Sequence, residues 1–561
     1  MFRKFLPAAA AFLAAACSTV PAVPPAPPAS AGPIEVQILA LNDFHGNLEP
    51  SPTPVRFQLG SDQFASGQLG GAAVVGAELA KLRAGRQSIT VAAGDLIGAS
   101  PLTSAYFLDE PTVDAMNLMR LDLASVGNHE FDKGTAELFR MQNGGCGKNT
   151  TRVPCRLERF GGARFQYLAA NVVRDDEKLI FPATAIRQVG PVKIGFIGMT
   201  LKSTGTLVTP AGVAGLHFKD EAETANALVP ELKAAGAEAI VLLIHQGGKT
   251  SETYKVQDCD GLSGDILPIL DKLDPAIATV ISGHTHNAYA CEMDRGGAHR
   301  LLTSAGKYGY FLTDLRLDFD PTTHRLVGQQ ARNIVVGNGE QGNDAAEQAL
   351  VDRYAAAVAP IASRIIGRLT APAPNAQDES ESPAADLIAD SMLAATRAPN
   401  MGGAQLALVN ATGVRVSLPS GDIKYADAFQ VMPFGNNLVV MTLSGAQLRS
   451  VIEQQYRGSP PPVGQRPHAL ATSAGFTYAV DMAKPAGSRV SDIRLNGRPI
   501  DSNAPYRVVV NNYLASGGDS LTGFTAGTDL TDNGIVDLDA LVAWIAPGRT
   551  PPVPNRIRVS P

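Results

Sequence analysis

Short apolar runs recur through the first half of the chain, at residues 34–41, 89–93, 121–126, 192–197, 239–244 and 277–281, each closed by glycine or polar residues. Runs of this length bounded by turn residues read as buried strands. Between several of them lie helix-like stretches, such as 71–83 and 221–235. Strand and helix alternating in this way predict a layered α/β domain. Farther on, Val351, Tyr354, Val358, Ile361 and Ile365 are spaced 3, 4, 3 and 4 apart, the stripe of an amphipathic helix, with a bend or break expected at Pro360. Residues 371–383 are rich in proline and acidic side chains and read as an interdomain hinge. A helix over 387–396 and strands over 406–410, 438–443 and 506–511 follow. The expected division is a domain over 34–340, a connecting helix over 341–370 and a second domain over 371–561, with no internal repeat.

Composition narrows the class. With 561 residues, 45% hydrophobic and 18% charged, the chain is neither disordered, collagenous nor a coiled coil. Lys plus Arg total 47 against 53 Asp plus Glu, a net charge of −6, so the basic excess of a nucleic-acid clamp is missing and a polynucleotide is not expected as the main ligand. Phe2-Arg3-Lys4 followed by an apolar stretch to Ala16 reads as a secretory signal over 1–16, too short to span a bilayer. Leu13-Ala14-Ala15-Ala16-Cys17 resembles a bacterial lipobox, which predicts acylation of Cys17 and a Pro/Ala tether through residue 33; the plainer alternative is an ordinary signal with a nearby cysteine. The expected location is the periplasm or outer membrane, with the lipid as the membrane attachment. Four more cysteines allow three pairings, of which proximity favours Cys146–Cys155 with Cys259–Cys291; no C-x-x-C spacing supports a zinc cluster.

The chemistry stands where the strand-like runs end. After 34–41 comes Asn42-Asp43-Phe44-His45-Gly46; after 89–93, Gly94-Asp95; after 121–126, Gly127-Asn128-His129-Glu130-Phe131-Asp132; after 239–244, His245-Gln246-Gly247-Gly248; after 277–281, Gly283-His284-Thr285-His286. A lone Asp or His in a loop is usually a solvated or capping residue. Five of the six strand ends carrying them, with five of the nine histidines, make a site, because ligands of open α/β sheets bind at the carboxyl ends of strands. Imidazole, carboxylate and amide oxygen without thiolate suit Zn, Mn, Fe or Co. Seven such groups are too many for one tetrahedral ion but suit two ions sharing a carboxylate, the arrangement that hydrolyses phosphate esters.

This motif set resembles the calcineurin-like metallophosphoesterase superfamily, and the whole chain after residue 33 resembles the 5′-nucleotidase family. The resemblance implies a four-layer α/β/β/α metallophosphoesterase domain followed by a smaller α+β nucleotide-specificity domain. It implies that Asp43, His45, Asp95 and His286 hold one divalent ion and Asp95, Asn128, His245 and His284 the other, with Asp95 bridging. The two charges would lower the pKa of a bound water and supply the attacking hydroxide. His129 resembles the family's catalytic histidine, stabilising charge on the phosphoryl oxygens, with Asp132 fixing its tautomer; the bland reading of both is helix capping.

In the second domain, Phe434 and Tyr513 match the rings that sandwich a nucleobase in the family, Asn436 its base-edge contact, Asp519 its ribose contact and Arg415 its phosphate-binding arginine; loop aromatics alone are more often packing residues. Two departures stand out: Ala411-Thr412-Gly413 replaces a glycine run, and the stretch 377–383 is acidic where UDP-sugar-hydrolysing members carry two more arginines. Carboxylates there would repel extra phosphate, which favours nucleoside monophosphates. The expected activity is conversion of 5′-nucleotides to nucleosides and phosphate, the substrate bridging both domains as the second one rotates. Alternatives are a 2′,3′-cyclic-nucleotide phosphodiesterase with 3′-nucleotidase activity, a UDP-sugar hydrolase, a thiosulfohydrolase (weakened by the two base-stacking rings), and, from another class, a nucleotide-binding lipoprotein without turnover.

Overall fold

Alternation along the strand Ile34–Leu41 sorts its side chains onto two faces: Val36, Ile38 and Ala40 enter one buried cluster, Leu39 and Leu41 another. The strand Ala239–Ile244 divides likewise, with Val241 and Leu243 sharing the cluster of Val36 and Ile38, while Ile240, Leu242 and Ile244 face helices. A period of two on strands buried on both faces requires two sheets packed face to face, each with a helical layer outside. The resulting order is α/β/β/α. The computed structural model describes residue 1 and residues 32–60, 63–150, 152–337, 342–375, 381–457 and 469–560. The signal sequence beyond residue 1, Cys17 and nearly all of the tether lie outside the described residues. Among those described, no helix is long and apolar enough to cross a membrane.

The first sheet runs in the order Leu326–Val335, Phe311–Phe319, Ile34–Leu41, Ser88–Ala92, Leu123–Ser125, Gln166–Leu168. Its last four strands are parallel, whereas the first two pair antiparallel. The second sheet runs Ala288–Arg295, Ala298–Ala305, Thr279–Ser282, Ala239–Ile244, Val192–Met199, Thr184–Val189, parallel in its middle and antiparallel at both edges. Helices Ala72–Arg83 and Glu110–Leu118 cover one sheet, Glu221–Ala234 and Ile266–Lys272 the other. The sequence pattern marks six central strands but not Gln166–Leu168, Thr184–Val189 or the strands after residue 288, nor the split into two sheets.

The connecting helix is Ala345–Ala362, capped by the Asp344 side chain, which accepts from the N–H groups of Ala346 and Glu347. It buries Leu350, Val351, Tyr354 and Val358, with the Tyr354 ring 4.8 Å from that of Phe107. Two expectations fail here. The helix continues through Pro360 and ends two residues later, and Ile365 lies beyond it, 60% exposed, opening a strand, Ile365–Leu369, that pairs with Gly421–Lys424 of the following domain. Proline near the C-terminus of a helix forfeits one hydrogen bond without breaking a long ladder, and the chain has turned away before the predicted stripe is complete.

The second domain is built on a five-stranded sheet, Ala471–Thr472, Leu406–Val409, Pro505–Asn511, Asn437–Ser444, Thr528–Val536, flanked by helices Pro383–Thr396, Gly445–Gln454 and Asp537–Ile545. A four-stranded sheet closes it. Glu381 corrects the acidic-hinge argument. It is 7% exposed, and its carboxylate accepts from the N–H groups of Asn555, Arg556 and Ile557, so it fastens the last strand and repels no phosphate. Residues 376–380 lie outside the described residues.

Candidate active site

Each candidate ligand follows the strand the sequence assigns it. Asp43 and His45 leave the end of Ile34–Leu41, Asp95 the end of Ser88–Ala92, and Asn128 and His129 the end of Leu123–Ser125. His245 ends Ala239–Ile244 from the opposite sheet, and His284 and His286 follow Thr279–Ser282. Five of the seven expected ligands, Asp43, His45, Asp95, His284 and His286, have positive φ, between 47° and 71°. Backbone so rarely favoured by side-chain-bearing residues persists only where its surroundings over-determine it. Glu130 is one such support. Its buried carboxylate accepts from the N–H groups of Gly127, Asp95 and Leu96 and so ties two ligand loops together; burial first, then the Asp95 charge, push its pKa up to about 8. Asn42 is another, donating to Asp43 Oδ2 at 2.7 Å. A Cβ on Gly94, at φ 84°, would lie 2.7 Å from His245 Nδ1, so the approach to Asp95 requires glycine.

Acceptors converge where these loops meet. His245 donates its Nδ1–H to the Ala93 carbonyl at 2.8 Å, which leaves Nε2 as a lone pair 3.0 Å from Asp95 Oδ2 and 3.1 Å from Asn128 Oδ1. His284 Nδ1 is also 3.1 Å from Asn128 Oδ1. His45 donates Nδ1–H to the Gly98 carbonyl at 2.9 Å, turning Nε2 toward His286 Nε2 at 3.1 Å, Asp95 Oδ2 at 3.7 Å and Asp43 Oδ1 at 3.8 Å. Atoms that share an ion at about 2.1 Å stand a little over 3 Å apart, and inward-facing acceptors demand positive charge. The donor set therefore fits two divalent ions, one among Asp43, His45 and His286 and one among Asp95, Asn128, His245 and His284. A single oxygen, Asp95 Oδ2, faces both groups.

Beside the clusters, His129 Nδ1–H donates to Asp132 Oδ2 at 2.8 Å, leaving its other ring nitrogen for a ligand. Burial works against the His129 cation, but Asp132 and Asp95 prevail and hold its pKa above the ordinary value. The Phe434 ring stacks on this imidazole, centroids 5.9 Å apart at 16°, and the Arg415 guanidinium lies 5.9 Å from the centre of the same ring. Tyr513 donates its O–H to Asp519 Oδ1 at 2.7 Å, and the same oxygen stands 3.3 Å from the Thr206 carbonyl of the first domain. Asp519 Oδ2 accepts from Asn410 and Thr412. Asn436 donates to Asp537 Oδ2 at 3.3 Å. Phe434, Asn436, Tyr513, Asp519 and Arg415 all line the cavity that holds Asp95, Asn128, His284 and His286, about 910 Å³ in volume.

Comparison with known proteins agrees with this layout. Residues 365–526 match the 5′-nucleotidase C-terminal domain, the stretch that carries all five second-domain residues. The crystal structure of a 5′-nucleotidase precursor from Thermus thermophilus superposes with a TM-score of 0.75 at 27% identity, covering 94% of this chain and 99% of that one. The chain belongs to the 5′-nucleotidase family. Endonuclease YhcR of Bacillus subtilis is 29% identical over 86% of this chain and 37% of its own length, and cell wall protein Lmo0130 of Listeria monocytogenes 28% identical over 88% and 65%. The chain thus spans less than two thirds of each of these two relatives.

Two further residues of this 5′-nucleotidase family member escaped the sequence reading. Tyr308 follows the strand Ala298–Ala305 and sets its ring 5.8 Å from that of His45, with the Lys307 ammonium 4.5 Å from the ring centre; burial opposes its ionisation, but Lys307 and Arg415 lower its pKa. Asp537, behind Asn436, is the other, its pKa pushed up to about 7 by burial. A glycine-bordered Lys-Tyr after an apolar run was the signal available for the first; the second had none. Among the cysteines, Cys146 and Cys155 form a disulfide of 2.05 Å. Cys259 and Cys291 do not: both are free thiols, hydrogen-bonded to each other at the edge of one apolar cluster. Packing brings this pair together as expected, but as a thiol–thiol contact rather than the S–S bond.

Proposed function

We propose that the chain is an exported, di-metal phosphohydrolase that releases phosphate from 5′-nucleotides, with nucleoside monophosphates among its substrates and a lipid on Cys17 as its anchor. One observation carries the reading: the His129–Asp132 pair, the Phe434 ring and the Arg415 guanidinium face the two ligand clusters within one cavity. Two bound divalent ions would supply a nucleophile at neutral pH and neutralise phosphoryl charge. The chain's own residues do the rest. Arg415 presents a planar fork to the phosphate oxygens. His129, protonated and fixed through Nδ1 by Asp132, donates from its other nitrogen to the charge that builds on the phosphoryl oxygens. Phe434 and Tyr513 offer faces for the base, and Asp519 accepts from the ribose hydroxyls once Tyr513 or Thr412 yields.

Phosphate release from AMP, UDP-glucose and 2′,3′-cyclic AMP by chelated enzyme, with and without Mn or Zn, tests this. Metal-restored release from AMP supports the proposal; turnover confined to the cyclic substrate or UDP-glucose overturns the substrate choice. A second reading, cleavage of a phosphodiester, draws on the similarity to a protein named as an endonuclease, against which a net charge of −6 is the sole argument. Nicking of a single-stranded oligonucleotide in the same assay would favour it. Binding of nucleotide without any turnover would favour the non-catalytic lipoprotein.

A further inference from the structure

Tyr308 stands beside the ligand clusters, and the proposed chemistry gives it no task. It lies in the turn 306–310 between the strands Ala298–Ala305 and Phe311–Phe319, at φ 58°, the left-handed region that five of the expected ligands also occupy. Such backbone persists only where its surroundings hold it, and here both peptide groups are held. The Tyr308 N–H donates to the Asp43 carbonyl at 2.8 Å, and the Tyr308 carbonyl approaches Gly70 so closely that a Cβ there would stand 2.6 Å from it. The ring is held as well. It stands edge-on to His45 with centroids 5.8 Å apart, tilted against His286 at 6.1 Å, and edge-on to Tyr310 at 5.6 Å. Asp43, His45 and His286 are the three groups placed around one ion, so backbone and ring together tie Tyr308 to that whole cluster.

Packing alone would be served by phenylalanine. The hydroxyl does something a phenyl ring cannot: Lys307 and Arg415 both approach it as hydrogen-bond donors, and the Lys307 ammonium lies 4.5 Å from the ring centre. Lys307 is a chain neighbour, but Arg415 follows the turn Ala411–Gly413 of the second domain. The domain boundary is thus crossed directly beside the ion cluster. Arg415 otherwise faces the Phe434 ring at 5.9 Å and makes no ion pair among the described residues. A carboxylate in place of the phenol would cancel the guanidinium charge and compete with a phosphate. A phenol oxygen takes one of the five N–H groups and leaves the rest of the fork for an anion.

We propose that Tyr308 is a positioning residue: fixed to the Asp43–His45–His286 cluster through its backbone and ring, it accepts from Arg415 and sets where the second domain's guanidinium stops relative to that cluster. The inference rests on the reading of Arg415 as a phosphate ligand and deepens it. An arginine carried on a separate domain would otherwise have to be ordered by the phosphate itself, at a cost in affinity; a fixed acceptor on the first domain orders it beforehand.

The test is the Kd of inorganic phosphate for the manganese-loaded full-length protein, measured by calorimetry for wild type, Y308F, R415Q and the double variant. Metal content and kcat/KM for AMP are measured on the same preparations. Calorimetry reports the fraction of competent sites separately from Kd, so partial misfolding does not imitate weaker binding. Y308F keeps the ring and is expected to raise Kd about 10-fold at wild-type metal content, as for losing a hydrogen bond to a charged group. R415Q raises Kd at least as much, and Y308F adds no further factor to it, because the two residues act as one unit. An unchanged Kd in Y308F, the same factor with and without Arg415, or loss of an ion in Y308F each overturn the positioning role. A wild type that binds phosphate but releases none from AMP overturns the nucleotidase reading, and the Kd series still decides Tyr308. A wild type that binds no phosphate overturns both.

Discussion

The two walls of the cavity hold their functional groups by opposite means. On the first-domain wall the backbone does the holding: Asp43, His45, Asp95, His284 and His286 sit in left-handed conformations directly after strands, and Glu130 bonds the peptide N–H groups of two ligand loops. On the second-domain wall side chains do most of it, through Tyr513 to Asp519, Asp519 to Asn410 and Thr412, Asn511 to Asn410, and Asn436 to Asp537, with Asp519 alone among the five candidate residues in a left-handed conformation, at φ 53°. A ligand fixed through strained backbone has one position and suits chemistry that depends on atoms placed within tenths of an ångström. Groups held largely through neighbouring side chains can exchange those partners for a substrate's hydroxyls and base edge. Under the proposed function, the wall that would do the chemistry is the rigid one and the wall that would choose the substrate is the one that can be re-paired.

The largest effect is expected at the carboxylate facing both clusters. Asp95→Asn lowers phosphate release by at least about 10³-fold and reduces metal content measured by elemental analysis. Full activity in that variant would remove Asp95 from the bridging role. Next comes His129→Ala, which lowers kcat by about 10²- to 10⁴-fold. Because His129 also approaches His45 and Asp95 closely enough to be a ligand, the decisive reading is metal content, expected to stay at two ions per chain. Loss of an ion would transfer His129 from the chemistry to the ligand set.

On the other wall the effects shrink and change kind. Phe434→Ala raises KM about 5- to 100-fold, the span given by roughly 1–3 kcal/mol for a stacked base, while kcat moves far less. A collapse of kcat alone would mean that Phe434 acts by holding His129. The smallest effect concerns Asp537. Burial raises its carboxyl from 3.8 to about 7, so the folded protein keeps a proton that the unfolded chain has already released in that window. Stability from this group is therefore lost as pH rises from about 4 to 7 and is level above that. Asp537→Asn removes the loss: its Tm relative to wild type is higher at pH 8 than at pH 4, by the equivalent of on the order of 1–3 kcal/mol. A pH-independent difference would mean that Asp537 is ionised in the fold.

The metal-binding wall was legible because each ligand lies within a few residues of an apolar run, so one-dimensional spacing carries three-dimensional information. Much of the second wall was legible through resemblance to a family, since Phe434 and Tyr513 stand 79 residues apart in sequence and no local rule connects them. Asp537 was not legible at all, and Tyr308 had only a glycine-bordered Lys-Tyr after an apolar run to mark it. Glu381 shows the converse error: an acidic residue in a polar stretch was assigned to solvent and substrate, whereas its partners are the backbone N–H groups of the final strand.

By itself the sequence determined which strands are buried, what stands at their ends, and that the donor set suits two ions, because hydrophobic period and coordination chemistry are local properties. Tertiary structure alone decided which strand goes to which of the two facing sheets, and that Phe434 of the second domain stacks on His129. It also decided that Arg415 and Phe434 stand beside His129. Those outcomes depend on distances between residues far apart in the chain, which packing sets and composition does not.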